Sequence, residues 1–203
     1  MRILAIETAT EACSVALFDD GALVDARHAV LGRGHAERLV PMIAELPDKG
    51  RAGEIRVSLG PGSFTGVRIG LAVARALGIA WQARVHGYPT LALVAAMARG
   101  GEPVPATVCM TGGHGEWFVQ DFDAAGLPLA DVASLAPEAA ASRGVHGVLA
   151  GSKAAELGAL VQVEPGAVRL PDARQALTLP SSLLSDSLAP LYGRPPDARL
   201  PGQ

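Results

Sequence analysis

One stretch constrains the fold more than any other: Gly60-Pro61-Gly62-Ser63-Phe64-Thr65-Gly66, followed by Val67-Arg68-Ile69-Gly70-Leu71. The apolar run at 54–59 reads as a strand, and apolar residues continue past the loop to Trp81 without a proline. The loop is therefore a strand-to-helix turn. Its glycines admit a backbone that a Cβ would block, and Ser63 or Thr65 can cap the helix that follows. Free N–H groups at such a helix start can also receive an anion. Spacing excludes two nucleotide signatures. A P-loop ends in Gly-Lys-Ser/Thr, where this loop ends Thr65-Gly66-Val67, and a Rossmann fingerprint has its third glycine one residue earlier. A tight structural turn and a phosphate cradle are the two readings that spacing leaves.

The helix after the loop adds a second constraint. Gly66, Gly70, Ala74 and Gly78 recur every four residues, a stripe of small side chains that lets another backbone approach closely. Val67, Leu71 and Trp81 flank one side of the stripe, and Ile69, Val73 and Leu77 the other. Arg68 and Arg75 are the charges on this helix, seven residues apart on one face. So apolar a helix is buried on more than one side. One side would cover a sheet, and the other calls for a neighbouring helix or a partner protein, unless the helix is simply core.

Composition bounds the function classes. A hydrophobic share of 49% against 18% charged is globular rather than disordered, and 203 residues suffice for one domain or two small ones. The formal charge of −3, without a Lys/Arg run interleaved with aromatics, predicts that this chain alone binds RNA or DNA poorly. Cys13 and Cys109 are far apart, with no C-x-x-C, which fits a reduced, cytoplasmic setting. Ile3-Leu4-Ala5-Ile6 is too short for a signal-peptide core, and no uncharged apolar segment nears the ~20 residues of a membrane span, so no membrane association is expected.

Along the chain, residues 2–8, 13–18 and 22–30 read as a three-stranded meander. Glu7, Thr8 and Thr10 lie at its first turn, where they could hold phosphate or a metal, or form plain surface. A helix over 35–46 carries Leu39, Val40, Ile43 and Leu46 on its apolar side, with Pro41 predicting a kink. His35 has no second His or Cys at helical spacing, so it is not read as a ligand. A strand at 84–87 and a helix at 90–99, capped by Thr90, precede Gly100-Gly101-Glu102-Pro103, the best domain boundary. Two lobes follow, 1–101 and 102–203. In the second, strands are expected at 104–110, 116–123, 127–132 and 145–150, with helices at 137–142, 152–160 and 182–187. Three strands and then a helix, occurring twice, suggest a duplicated α/β unit whose second copy is degenerate.

Several chemistries lack their residues. The loop has no G-x-S-x-G elbow, and His28, His35, His86, His114 and His146 are scattered rather than clustered. The second-half hairpin, Thr111-Gly112-Gly113-His114-Gly115, has no carboxylate before Glu116. Together these absences favour a non-catalytic role.

Three blocks carry a family resemblance. ILAIETATEACSVALFDDG (3–21), HAERLVPMI (35–43) with GPGSFTGVRIGLAVARALG (60–78), and LAPLYGRPPDAR (188–199) resemble the TsaB family, also called YeaZ. The resemblance implies an α/β, actin-like or Hsp70-like ATPase fold of two ribonuclease-H-like lobes. It also implies a non-catalytic subunit that pairs with TsaD. TsaD, with TsaE, transfers a threonylcarbamoyl group to N6 of adenosine 37 in tRNA. Pairing in the family runs through the first-lobe helices, here 35–46 and 64–82, which also make homodimers. Carried over, the interface would comprise His35, Leu39, Ile43, Arg68, Ile69, Gly70, Val73, Ala74 and Leu77. Glu7, Thr8, Gly60, Gly62, Ser63, Thr65 and Gly66 would be a vestigial phosphate loop. No catalytic or metal residue is implied in this chain; ATP and metal belong to TsaD, and tRNA is reached through the complex. Two positions depart from the family pattern: Glu7 stands where relatives usually carry Asp, and Thr111 to His114 replace an Asp-Ala-Arg before the Gly-Glu. The rival reading is a metal- or ATP-dependent, peptidase-like enzyme or ATPase of the same fold, using Glu7, Thr8 and the loop at 60–66.

Overall fold

A computed structural model describes residues 1–193. The first sheet has the order β3-β2-β1-β4-β5, with β1 (Arg2–Glu7), β2 (Ala12–Asp19), β3 (Ala22–Val30), β4 (Glu54–Ser58) and β5 (Arg84–Tyr88). The first three strands form an antiparallel meander, and β4 and β5 add parallel to β1. Strand β1 is buried on both faces, as period-two alternation shows. Leu4 and Ile6 join the core beneath α1 (His35–Ala44) and α2 (Phe64–Trp81). Ile3 and Ala5 pack on the opposite face against Ala173 and Ala176, from a 3-10 turn at Ala173–Thr178.

The second sheet repeats the plan, smaller. Its order is β8-β7-β6-β9, from β6 (Ala106–Gly113), β7 (Glu116–Phe122), β8 (Ala133–Leu135) and β9 (Val148–Ala150). Again three strands are antiparallel, and the last, β9, adds parallel to β6. α4 (Pro137–Arg143) is tied to β7 by Arg143, whose guanidinium sits 2.7 Å from the buried Asp121 carboxylate, and α5 (Ala154–Val161) packs behind β6 and β9. The duplicated unit expected from sequence is present.

Five local expectations differ. α3 (Thr90–Arg99) belongs to the second core, with Leu91, Leu93 and Val94 packed among Val108, Met110 and Phe118, so the lobes meet before α3 rather than at Gly100–Pro103. Because the turn at Ala173–Thr178 returns to the first sheet, the span 102–203 is not one lobe. Thr90 does not cap α3: Pro89 precedes the helix, and the Thr90 hydroxyl instead lies 2.5 Å from that of Ser58. The third strand of the second sheet forms at Ala133–Leu135, not 127–132, where one bridge joins Phe122 to Pro128. The tail at 182–187 makes a single 3-10 turn, Ser181–Leu183, in place of a helix. α1 runs through Pro41, which is exposed, so the missing backbone donor costs nothing in the core.

α2 has the length and apolarity of a membrane span by composition. Its small-residue face lies against the sheet, as expected of a core helix. The third resemblance block runs from 188 to 199, and its residues from 194 onward lie outside the described residues.

Candidate functional site

The loop at 60–66 is built by close backbone approach. A Cβ on Gly62 would lie 2.0 Å from the Ala9 carbonyl oxygen, and one on Gly66 would lie 2.1 Å from that of Thr8. Side chains cannot be accommodated there, which is why the sequence has glycine. Ser63 caps α2: its Oγ accepts from Gly66 N at 3.2 Å, while Ser63 N donates to Ala9 O at 2.7 Å. Val67 N donates to Ser63 O, and the Thr8 hydroxyl donates to Gly66 O at 2.8 Å. The N–H groups of Ser63, Gly66 and Val67 are thus engaged within the chain, and the carbonyls of Thr8 and Ala9 face the glycines. An anion could reach those three N–H groups only by displacing these contacts. Gly60 lies at positive φ, where a Cβ would come 3.1 Å from the Leu191 carbonyl oxygen, and Thr65 is exposed at the first turn of α2.

Glu7 is fully buried at the end of β1. One carboxylate oxygen accepts from Ala9 N at 2.7 Å, and Oε2 has no hydrogen-bond partner among the described residues. Burial pushes its pKa up to about 7, partly opposed by the Ala9 N–H and by Ser58. Its side chain has no solvent exposure and lies beside Ser58 and Tyr88. Thr10 is buried too and accepts from Ala12 N at 3.2 Å, closing the β1–β2 turn. Among the described residues no group of three or more His, Cys, Asp or Glu side chains comes together. Cys13 and Cys109 are buried free thiols, pushed by burial up to about 11 and about 12, and hence poor nucleophiles.

The helices bring together part of the residue set expected at a partner interface, and a correction is needed for the rest. Leu39 and Ile43 are buried in the first core. Ala74 is fully buried, and a Cβ on Gly70 would lie 2.4 Å from Thr8 Oγ1. His35 is also buried, its Nε2 3.3 Å from Ala12 O. These five face their own chain. The close approach that the small-residue stripe demands is made by the β1–β2 turn and by β4 and β5, not by a second helix. Ile69, Val73 and Leu77 are half-buried at the edge of that core, and Arg68 is exposed.

The face that α2 turns outward is the next one around the helix. Ala72, Ala76, Ile79 and Ala80 are exposed, Ile79 by 82%, and on α1 so are Ala36, Val40, Pro41 and Ala44. Sequence reasoning missed most of these because alanine carries no signal of its own. The signal available was geometric: in α2, positions 72, 76 and 79–80 lie about half a turn from the glycine stripe. Arg68 and Arg75 border this face on the flank nearest residues 188–192.

Between the lobes lies a cleft of ≈ 940 Å³. Its walls come from the turn at 9–11, the loop and first turn of α2, the hairpin at 110–114, Phe118 and residues 190–193. Apolar and aromatic groups dominate, with hydroxyls from Thr10, Ser63, Thr111 and Ser152. The hairpin tip lacks a carboxylate, and Thr111 N donates to Ser152 Oγ at 3.0 Å.

The profile of the family TsaD: tRNA N6-adenosine threonylcarbamoyltransferase matches residues 29–185. Over 100 residues the chain is 44% identical to tRNA threonylcarbamoyladenosine biosynthesis protein TsaB of Escherichia coli (strain K12), covering 47% of this chain and 43% of that one. It is 40% identical over 82 residues to the protein of the same name in Haemophilus influenzae, covering 38% of this chain and 34% of the relative. These matches span less than half the length of either curated relative. A solved structure from Pseudomonas aeruginosa, described as similar to peptidase YEAZ, superposes with a TM-score of 0.74 at 30% identity, covering 88% of this chain and 89% of that one. YeaZ from the same organism superposes at 0.71 with 27% identity, over the same shares.

Proposed function

The chain belongs to the TsaB (YeaZ) family and has its actin-like, two-lobed α/β fold, and from that premise we propose that it is a non-catalytic scaffold in threonylcarbamoyladenosine biosynthesis. It docks TsaD through the outer face of α1 and α2 and so supports threonylcarbamoyl transfer to tRNA in the cytoplasm, with TsaE joining the complex. ATP and metal are carried by TsaD, and tRNA is reached through the assembly. Alone, the same face pairs two copies of this chain.

The observation that carries this reading is the outer face of α2, where Ala72, Ala76, Ile79 and Ala80 stand exposed beside Val40 and Pro41 of α1. A narrow, small-residue apolar face lets a partner helix approach closely, and half-buried Ile69 and Val73 would complete its burial. Each such aliphatic side chain contributes about 1.5–3 kcal/mol when fully buried. The engaged loop and the inward Glu7 support a scaffold role over phosphoryl chemistry in this chain. The test is reconstitution: TsaD and TsaE of the same organism, tRNA and threonylcarbamoyl-adenylate, with and without this chain. Transfer that depends on the chain, and survives Glu7→Gln, supports the scaffold. Transfer or hydrolysis by the chain without TsaD, lost in Glu7→Gln, supports the rival enzyme.

A further inference from the structure

Residues 185–193 form no helix or strand, yet they are held at successive points as they cross from the first lobe to the second. Ser185 exchanges both backbone hydrogen bonds with Gly87 at the edge of β5, at 2.8 and 2.9 Å. Arg75 donates to Leu188 O at 2.9 Å, and the Leu188 side chain packs on the first core. Beyond Pro190 the hold is lighter. Leu191 N donates to Leu59 O at 2.8 Å, but the Leu191 side chain is 40% exposed and that of Tyr192 is 55% exposed. The Tyr192 ring centroid is 6.0 Å from that of Phe64, and Arg68, which lies 3.6 Å over the Phe64 ring, reaches the Tyr192 hydroxyl at 3.4 Å. Gly193 rests on the second lobe: a Cβ there would lie 2.3 Å from the Phe118 ring. Residues 190–193 and Phe118 all line the interlobe cleft.

We propose that Leu191–Tyr192–Gly193 is a lid over the interlobe cleft, hinged at Ala189-Pro190 and latched on the first turn of α2 by Phe64 and Arg68. The base of the lid is fixed by a two-bond bridge and a half-buried leucine. Among the described residues its tip is held by one backbone bond, the Arg68 hydrogen bond to the Tyr192 hydroxyl, one aromatic contact and one glycine packed on a ring. Among the described residues, opening therefore breaks these four interactions and leaves both cores intact. Proline fixes φ at the hinge and has no N–H to tie down, so the turn from base to tip is set without anchoring the tip. Phe64 and Arg68 stand at the cleft mouth on the same helix that carries the proposed partner face. The lid is a property of the free chain and stands whether or not that face binds TsaD.

The experiment uses the full chain, with amide exchange and methyl spectra read in the presence of a water-soluble nitroxide. Tyr192→Ala removes the latch, and Gly193→Ala wedges the tip off Phe118, its φ lying outside the left-handed region. Both are expected to speed exchange of the Leu191 amide about tenfold, the scale of one lost hydrogen bond. Both should also raise nitroxide broadening of the Val67 and Met110 methyls inside the cleft, while Leu4 and Leu17 in the first core stay unchanged. Faster Leu191 exchange without broadening at the cleft methyls would overturn the proposal, leaving 191–193 as an edge fixture. So would a uniform acceleration reaching the β1–β2 amides, which would make these residues part of the fold's stability.

Discussion

Glu7 concentrates the chemistry of the first lobe in one side chain. A carboxyl whose pKa is about 7 in the folded chain, against 4.5 for the unperturbed group, binds its proton more tightly when folded. The unfolded chain releases that proton first as pH rises. Stability contributed by the neutral, buried form is therefore full below about pH 4.5 and is lost as pH climbs to about 7, by about 3 kcal/mol. Glu7→Gln should flatten this slope, because the amide keeps an acceptor for Ala9 N and carries no charge. Urea midpoints at pH 5 and pH 8 check this: they should converge in the variant and diverge in the wild type, and equal divergence in both would contradict it. The loop glycines give a second residue-scale prediction. Gly66→Ala brings a Cβ to 2.1 Å from a backbone oxygen and should cost about 3 kcal/mol, read as a lowered urea midpoint with unchanged slope. A near-neutral effect would show that the turn is not the close contact described.

At the scale of elements, α2 was legible in its boundaries and cap and misread in its orientation. Ser63, the proline-free run to Trp81 and the four-residue spacing of small side chains all appear in the helix as expected. The stripe correctly demanded a close neighbour, but spacing along one helix cannot say which neighbour. Here it is the turn carrying Thr8 and Ala9, which in sequence lies more than fifty residues away. Strand β8 was displaced for a related reason: Ala133–Leu135 has no alternation to distinguish it, and its pairing with Trp117–Val119 defines it. The cleft was the least legible feature, since its walls come from segments far apart in the sequence. The inward orientation of the stripe decides which substitution tests pairing. Gly70→Glu would drive a charge into the sheet and unfold the lobe, so it says nothing selective about pairing. Ala76→Glu or Ile79→Glu places the charge on the exposed face. Either should leave the chain folded, with the circular dichroism spectrum of the wild type, while weakening partner binding by at least about a hundredfold, measured by calorimetry against TsaD. Undiminished binding would remove the outer face from the interface.

For the whole molecule, two ribonuclease-H-like sheets face each other across a cleft, with α3 packed in the second core and the turn at Ala173–Thr178 folded back on the first. The duplication was visible from the repeated order of strands and helix. The return of the chain to the first lobe was not, because Ala173 and Ala176 look like any other alanines until Ile3, Ala5 and Phe18 are placed beneath them. The fold is the actin-like, two-lobed one, and in its first lobe the Thr8 and Ala9 carbonyls pack against Gly66 and Gly62. The scaffold proposal rests on the outer helical face, where Ala72, Ala76, Ile79 and Ala80 stand exposed. The central claim is tested most directly by the molar mass in solution of this chain mixed with its own organism's TsaD, by size-exclusion chromatography with light scattering. The account predicts a one-to-one complex that forms with wild type and is lost with Ala76→Glu, whose free form elutes as a folded monomer. Separate elution of wild type and TsaD, or a complex unaffected by Ala76→Glu, would contradict it.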